Sequence, residues 1–209
     1  MRILRVACSM FLGAALAASA EDDALLQRVW DGVQAAQKKY TTGRGVIAET
    51  RTSPLLAKPL VLRGKFYAAG LTRFSVEYTA PERIHVVFNE DYLNVTTGSP
   101  KSTTEAIRIG EHVRRTQSYF SKDNSLANLK RNFTITVSEE KTGYEMRLVP
   151  TSTRFRKRLN YVVVRLAKPD FLLRGLEVDG TSGVHSRFDI HLDAVISPIP
   201  DEVFKVYRP

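Results

Sequence analysis

Val184-His185-Ser186-Arg187-Phe188-Asp189-Ile190-His191-Leu192-Asp193 is the stretch that decides the fold. Val184, Phe188, Ile190 and Leu192 share one parity, and His185, Arg187, Asp189, His191 and Asp193 share the other. Successive side chains of a strand point to opposite faces, so this segment reads as a strand with one apolar and one wet face. A sheet of such strands must cover its apolar face with a second layer of strands, by closing into a barrel, or with helices.

The same alternation recurs. Phe74, Val76 and Tyr78 oppose Ser75 and Glu77; Phe133, Ile135 and Val137 oppose Thr134 and Thr136; Tyr144, Met146 and Leu148 oppose Glu145 and Arg147. Strands are expected at 45–52, 60–67, 72–79, 83–88, 92–96, 133–139, 144–149, 161–166, 172–178, 184–192 and 203–207. Turn residues separate many of them, as at Ala80-Pro81-Glu82, Asn89-Glu90-Asp91 and Asp179-Gly180-Thr181-Ser182-Gly183. Short strands so spaced, with few helices between, make an antiparallel sheet.

Helical periodicity is confined to few places. Over 22–40, Leu25, Leu26, Val29, Trp30, Val33, Ala36 and Tyr40 form one stripe, with Asp22 and Asp23 in the first turn and Lys38 and Lys39 in the last. Two short amphipathic stretches lie at 124–133 (Leu126, Leu129, Phe133) and 151–159 (Phe155, Leu159). They are suited to act as lids on a curved sheet. There is no internal repeat and no linker, so one domain is expected.

The N-terminus has the order of an export signal: Arg2 and Arg5, an apolar run from Val6 to Ala18, then Ala18-Ser19-Ala20. A buried N-terminal helix is the weaker alternative. Cleavage after Ala20 is expected, which would leave 189 of 209 residues and lower the net charge from +9 to +7 by removing Arg2 and Arg5. The one cysteine, Cys8, lies in this segment, so no disulfide or Cys-ligated metal is expected in a soluble, exported mature chain. With 43% hydrophobic residues, 12 Gly and 9 Pro, disordered and low-complexity classes are excluded.

Catalytic signatures are lacking: no Gly-x-Ser-x-Gly elbow, phosphate loop, dinucleotide fingerprint or His-Glu-x-x-His occurs. Asp189-x-His191-x-Asp193 places its side chains about 6–7 Å apart along one strand, which reads as a solvated face rather than a metal site. A hydrolase using His191 and Asp189 is the remaining enzymatic alternative; no enzymatic activity and no cofactor or metal is expected. The strongest basic runs are Arg114-Arg115 and Arg154-Phe155-Arg156-Lys157-Arg158. A nucleic-acid surface interleaves aromatics with cations, and only Phe155 qualifies, so no nucleic-acid partner is expected. A cationic rim attracts anionic lipid; a generically basic solvated surface fits equally well.

The order of these segments resembles the bacterial outer-membrane lipoprotein carrier family, the periplasmic LolA-like proteins. The resemblance rests on a signal peptide and a helix, then Gly64-Lys65-Phe66-Tyr67 running to Arg73-Phe74-Ser75-Val76-Glu77-Tyr78-Thr79-Ala80-Pro81. Leu148-Val149-Pro150 follows, ahead of a basic-hydrophobic segment. Leu176-Glu177-Val178-Asp179-Gly180, Arg187-Phe188-Asp189-Ile190 and Ile199-Pro200-Asp201-Glu202-Val203-Phe204 close the chain. It implies an unclosed antiparallel β-barrel (α+β, mainly β) over residues 21–209, with helices as a lid over an apolar cavity. It also implies a monomer that carries lipoprotein acyl chains, or another lipid, from an inner-membrane transporter to an outer-membrane acceptor. Phe66, Phe74, Val76, Tyr78, Phe88, Met146 and Leu148 would line the cavity, and Leu126, Leu129 and Phe133 would belong to the lid; packed core is the alternative for each. Two features depart from the family: Ala69-Gly70-Leu71 stands where well-studied members carry Lys-Arg-Pro, and the chain ends at Pro209, short of their C-terminal extension. A similar half-barrel serves regulatory or adaptor proteins that sense lipid or protein ligands in the envelope.

Overall fold

The computed structural model describes residues 4–70, 72–98, 102–108, 126–195 and 198–207, with side chains from 22 onward except at 194 and 195. Among the described residues, eleven strands form one antiparallel sheet. They are β1 (Thr42–Thr52), β2 (Leu60–Ala69), β3 (Arg73–Ala80), β4 (Ile84–Asn89), β5 (Tyr92–Thr97), β6 (Thr103–Arg108), β7 (Phe133–Glu139), β8 (Gly143–Pro150), β9 (Leu159–Ala167), β10 (Leu173–Gly180) and β11 (His185–Val195). Their order is β6-β5-β4-β3-β2-β1-β11-β10-β9-β8-β7, so β6 and β7 stand at the two ends and the barrel is unclosed. Every neighbouring pair but one is a sequential hairpin; the exception is β1 with β11, where Thr42 faces Val195 and Thr52 faces His185.

Register puts the apolar parities on a single face. One row across the sheet runs Val137, Met146, Val164, Leu176, Phe188, Glu49, Leu62. A second runs Phe66, Val76, Val86, Val95. A one-residue slip would turn each of these rows to the opposite face. The sheet coils so tightly at Gly45, Gly64 and Gly143 that a side chain is excluded: a Cβ on Gly45 would lie 2.0 Å from the His191 carbonyl oxygen, one on Gly64 2.1 Å from that of Glu77, and one on Gly143 2.1 Å from that of Leu166. Glycine inside a strand marks such close backbone approach and lets a sheet bend.

Helices cover one half of the concave face. They are α1 (Leu4–Lys39), α2 (Leu126–Asn132) and α3 (Thr153–Arg156). Leu26 and Trp30 of α1 and Leu126 and Leu129 of α2 pack on Met146 and Leu148, with Phe133, Ile135 and Val137 around them. Val29 packs on Tyr144 and Leu166, and Phe171 stacks on the Tyr144 ring at 5.2 Å. On the outer face, the segment after β11 lies against β3–β5. Phe204 is fully buried, Asn89 Nδ2 donates to the Phe204 carbonyl, and Asn94 Nδ2 donates to that of Tyr207. Arg73 pairs with Asp201 and lies over the Phe204 ring.

Several expectations need correction. The helix expected over 22–40 begins at Leu4, because Ala14-Ala15-Leu16-Ala17-Ala18 is a strong helix former that continues the turn. The strand expected at 203–207 is a turn of 3₁₀ helix, Asp201–Phe204, which starts after Pro200 and has no strand partner. β6 was not anticipated: Thr103-Thr104-Glu105-Ala106-Ile107-Arg108 has little alternation and is ordered by pairing with β5. The stretch 151–159 is helical only at Thr153–Arg156. Residues 124 and 125 of the other short stretch, Leu71 of Ala69-Gly70-Leu71, and Arg114-Arg115 lie outside the described residues. Among the described residues no helix is long and apolar enough to cross a membrane.

Candidate functional site

Among the described residues, the half of the concave face built by β11 and β1–β4 is made of strands alone. Ile47, Leu62 and Tyr78 form its centre, ringed by Leu60, Phe66, Val76, Ile84, Phe188 and Ile190; among the described residues no helical side chain joins them. The expected lining residues therefore divide. Phe66, Val76 and Tyr78 meet in this strand-only half. Phe74 and Phe88 continue it, with ring centroids 5.3 Å apart; Phe88 is buried and Phe74 is partly open to solvent. Met146 and Leu148 lie instead beneath α1 and α2, in contact with the expected lid residues Leu126 and Leu129. Phe133 opens β7 rather than ending a helix, and its ring lies 5.0 Å from that of Phe155.

One carboxylate breaks the apolar rows. Glu49 is 1% exposed and sits between Phe188 and Leu62 in register. Burial of an unpaired charge costs several kcal/mol, and here three side chains donate to it. Tyr78 Oη donates to Oε2 at 2.8 Å, Arg51 Nε to Oε1 at 2.8 Å, and Ser186 Oγ to Oε1 at 3.3 Å. Arg51 Nη2 lies 2.6 Å from the same oxygen, and its side chain is partly open to solvent. Burial, and then the hydrogen bond to Glu49, push the Tyr78 phenol well above its ordinary value. The sequence carried a faint signal for this group, since Ile47, Glu49 and Arg51 share a parity. Nothing local distinguishes such a carboxylate from one on a solvated face.

The outer face carries a separate network. Arg165 bridges Glu145 and Glu177, each at 3.0 Å, and Tyr161 Oη donates to Glu177 at 3.0 Å. His185 Nε2 lies 3.2 Å from Glu177 without hydrogen-bond alignment. Asp189 and His191 line an outer-face groove of about 630 Å³ beside Val46, Arg63, Lys65 and Arg174. Asp189 pairs with Arg187, and no hydrogen bond joins it to His191 among the described residues. Among those residues no group of three His, Cys, Asp or Glu could hold a metal ion.

No family model matches the sequence, and no curated protein matches it. Solved structures do. An uncharacterised conserved protein from Thermus thermophilus is 11% identical, with a TM-score of 0.52 over 88% of this chain and 94% of that one. MucB is 11% identical, with a TM-score of 0.50 over 88% of this chain and 62% of MucB, so this chain spans about three fifths of MucB; MucB is also known in complex with MucA(peri). A LolA superfamily protein from Nitrosomonas europaea matches at 13% identity and a TM-score of 0.36, over 83% and 97% of the two chains. For the Thermus thermophilus protein and MucB the likeness is one of fold, and the unclosed barrel expected from the sequence is the architecture observed.

Proposed function

We propose that this chain is a non-enzymatic, periplasmic carrier that takes the acyl chains of lipoproteins or related lipids against the strand-only half of its concave face. It would move them from the inner towards the outer membrane, receiving them from one membrane partner and handing them to another. The observation that carries the reading is the cluster of Ile47, Leu62, Phe66, Val76 and Tyr78, concave and free of helical side chains among the described residues. Sheltering an acyl chain there is worth about 0.8 kcal/mol for each CH₂ removed from water. The test is native mass spectrometry of the protein purified from its source envelope, together with uptake of a fluorescent fatty acyl probe. Bound lipid and uptake that falls on Val76→Asp are expected. A lipid-free protein that takes up no probe would overturn the reading.

A second reading is a regulatory or adaptor module that uses the same half-barrel for a protein ligand. It is supported by the fold shared with MucB, which is known in complex with MucA(peri). Retention of a membrane protein's periplasmic domain in a pull-down, without lipid transfer between vesicles, would favour it.

A further inference from the structure

The end of the half-barrel where β1 turns into β2 projects two leucines into water. Leu55 is 94% exposed and Leu56 39%. The loop is nonetheless folded: the Leu56 N–H donates to the Ser53 carbonyl at 3.0 Å, and the Leu55 N–H to Ser53 Oγ at 3.2 Å. Pro54 packs on the next hairpin turn, where a Cβ on Gly183 would meet its ring at 2.8 Å. Exposure of Leu55 is therefore a property of an ordered turn.

That neighbouring turn leads to the basic run. The Thr181 N–H donates to the Arg158 carbonyl at 3.1 Å, and Thr181 Oγ1 donates to that of Lys157 at 3.0 Å. Arg156, Lys157 and Arg158 are all exposed, and among the described residues none pairs with a carboxylate. The acids of this end are outnumbered. Glu49 is buried and paired with Arg51, while Asp179, which accepts from the neutral Asn160 amide at 2.8 Å, and Glu82 keep their charge against Arg83, Arg156, Lys157 and Arg158. One end thus carries a protruding apolar tip and a run of cations in excess of its acids, joined through the turn at 181–183.

We propose that this end docks on an anionic phospholipid bilayer, with Leu55 and Leu56 entering the interface and Arg156, Lys157 and Arg158 meeting the headgroups. An apolar tip backed by cations matches such a surface in both respects: apolar side chains enter the acyl boundary, and each Lys or Arg near the surface strengthens binding roughly fivefold. Arg51, on the concave face at the same end, places the exposed edge of the Glu49 cluster on the docking side. The proposal rests on the carrier reading for its purpose, since it names the end through which lipid would pass.

The test uses full-length protein expressed with its own N-terminus and recovered from the periplasm, sedimented with vesicles of phosphatidylglycerol and phosphatidylethanolamine or of phosphatidylcholine alone. Partitioning at least tenfold stronger on the anionic vesicles is expected. It should fall at least tenfold in Leu55→Asp/Leu56→Asp, and roughly a hundredfold in Arg156→Glu/Lys157→Glu/Arg158→Glu, with far-ultraviolet circular dichroism unchanged. Equal partitioning of the wild type and the leucine variant would overturn the proposal, as would equal binding to both vesicles or a Leu55-dependent dimer on gel filtration that fails to bind. Acyl-probe uptake without vesicles separates the two ideas. Variants that lose partitioning and keep uptake support docking, and a wild type that partitions but takes up no probe keeps docking and removes the carrier reading.

Discussion

Tyr78 donates its phenolic hydrogen to Glu49 across 2.8 Å, joining β3 to β1 inside an otherwise apolar face. The two residues form a polar island whose energy depends on every member being present. Removing an acceptor strands its donors, whereas removing one donor leaves the others in place.

Glu49→Ala is expected to destabilise the fold by about 3 kcal/mol and Tyr78→Phe by about 1 kcal/mol, because the first leaves Tyr78 and Ser186 without their acceptor. Glu49→Gln, which keeps an acceptor oxygen, should fall between them. Urea denaturation at neutral pH measures all three, and a Glu49→Ala protein as stable as wild type would show that the island contributes nothing.

Alkaline titration should expose the same contact. The folded-state pKa of Tyr78 is raised above its ordinary value of 10.0, first by burial and then by the Glu49 hydrogen bond. The unfolded phenol then ionises before the folded one. The contribution is fully present below pH 10 and is lost progressively as pH rises above it. Wild-type stability should decline over that range, and Tyr78→Phe should show a shallower decline in denaturation curves taken on both sides of pH 10.

Glu177 gives the opposite sign. Burial alone would raise its pKa, but hydrogen bonds from Arg165 and Tyr161, aided by His185, outweigh burial and hold it below the ordinary 4.5. Its stabilisation is present above that value and is lost as pH falls through the depressed one. Glu177→Gln should therefore lose stability at pH 7 and show a weaker further loss between pH 5 and pH 3 than wild type does.

Gly64→Ala should cost several kcal/mol or prevent folding, since the added methyl would sit 2.1 Å from a main-chain oxygen that cannot move without unpairing β2 from β3. Gly70→Ala, at a turn glycine with φ +61 and open space around it, should cost about 1 kcal/mol through backbone strain alone. Thermal melts of the two variants separate crowding from conformational preference.

Strands with strict alternation were legible. The expectation at 133–139 coincides with β7 (Phe133–Glu139), and those at 144–149 and 184–192 differ from β8 and β11 by a few residues at their ends. β6 was not legible, because its order comes from a neighbour rather than from its own alternation. The site was legible in part. Parity places Phe66, Val76, Tyr78, Met146 and Leu148 on one face, but which of them lie beneath a helix depends on where α1 and α2 land, and that is a tertiary fact. Glu49 was missed because a carboxylate among strand residues ordinarily faces water. Its three donors come from positions that only register brings together.

The pairing of β1 with β11 sets a timetable. Both outer flanks of the sheet grow by hairpins between strands adjacent in the chain, which form from local contacts. The central seam needs the first strand to find the last, and loop-closure entropy makes so distant a meeting slow. Until residues 185–195 are available, the edge of β1 that pairs with β11 stays open and Glu49 lacks Ser186. The half-barrel therefore cannot mature during synthesis and is completed by its last strand, so a truncation that removes β11 should leave two disconnected meanders rather than a smaller barrel.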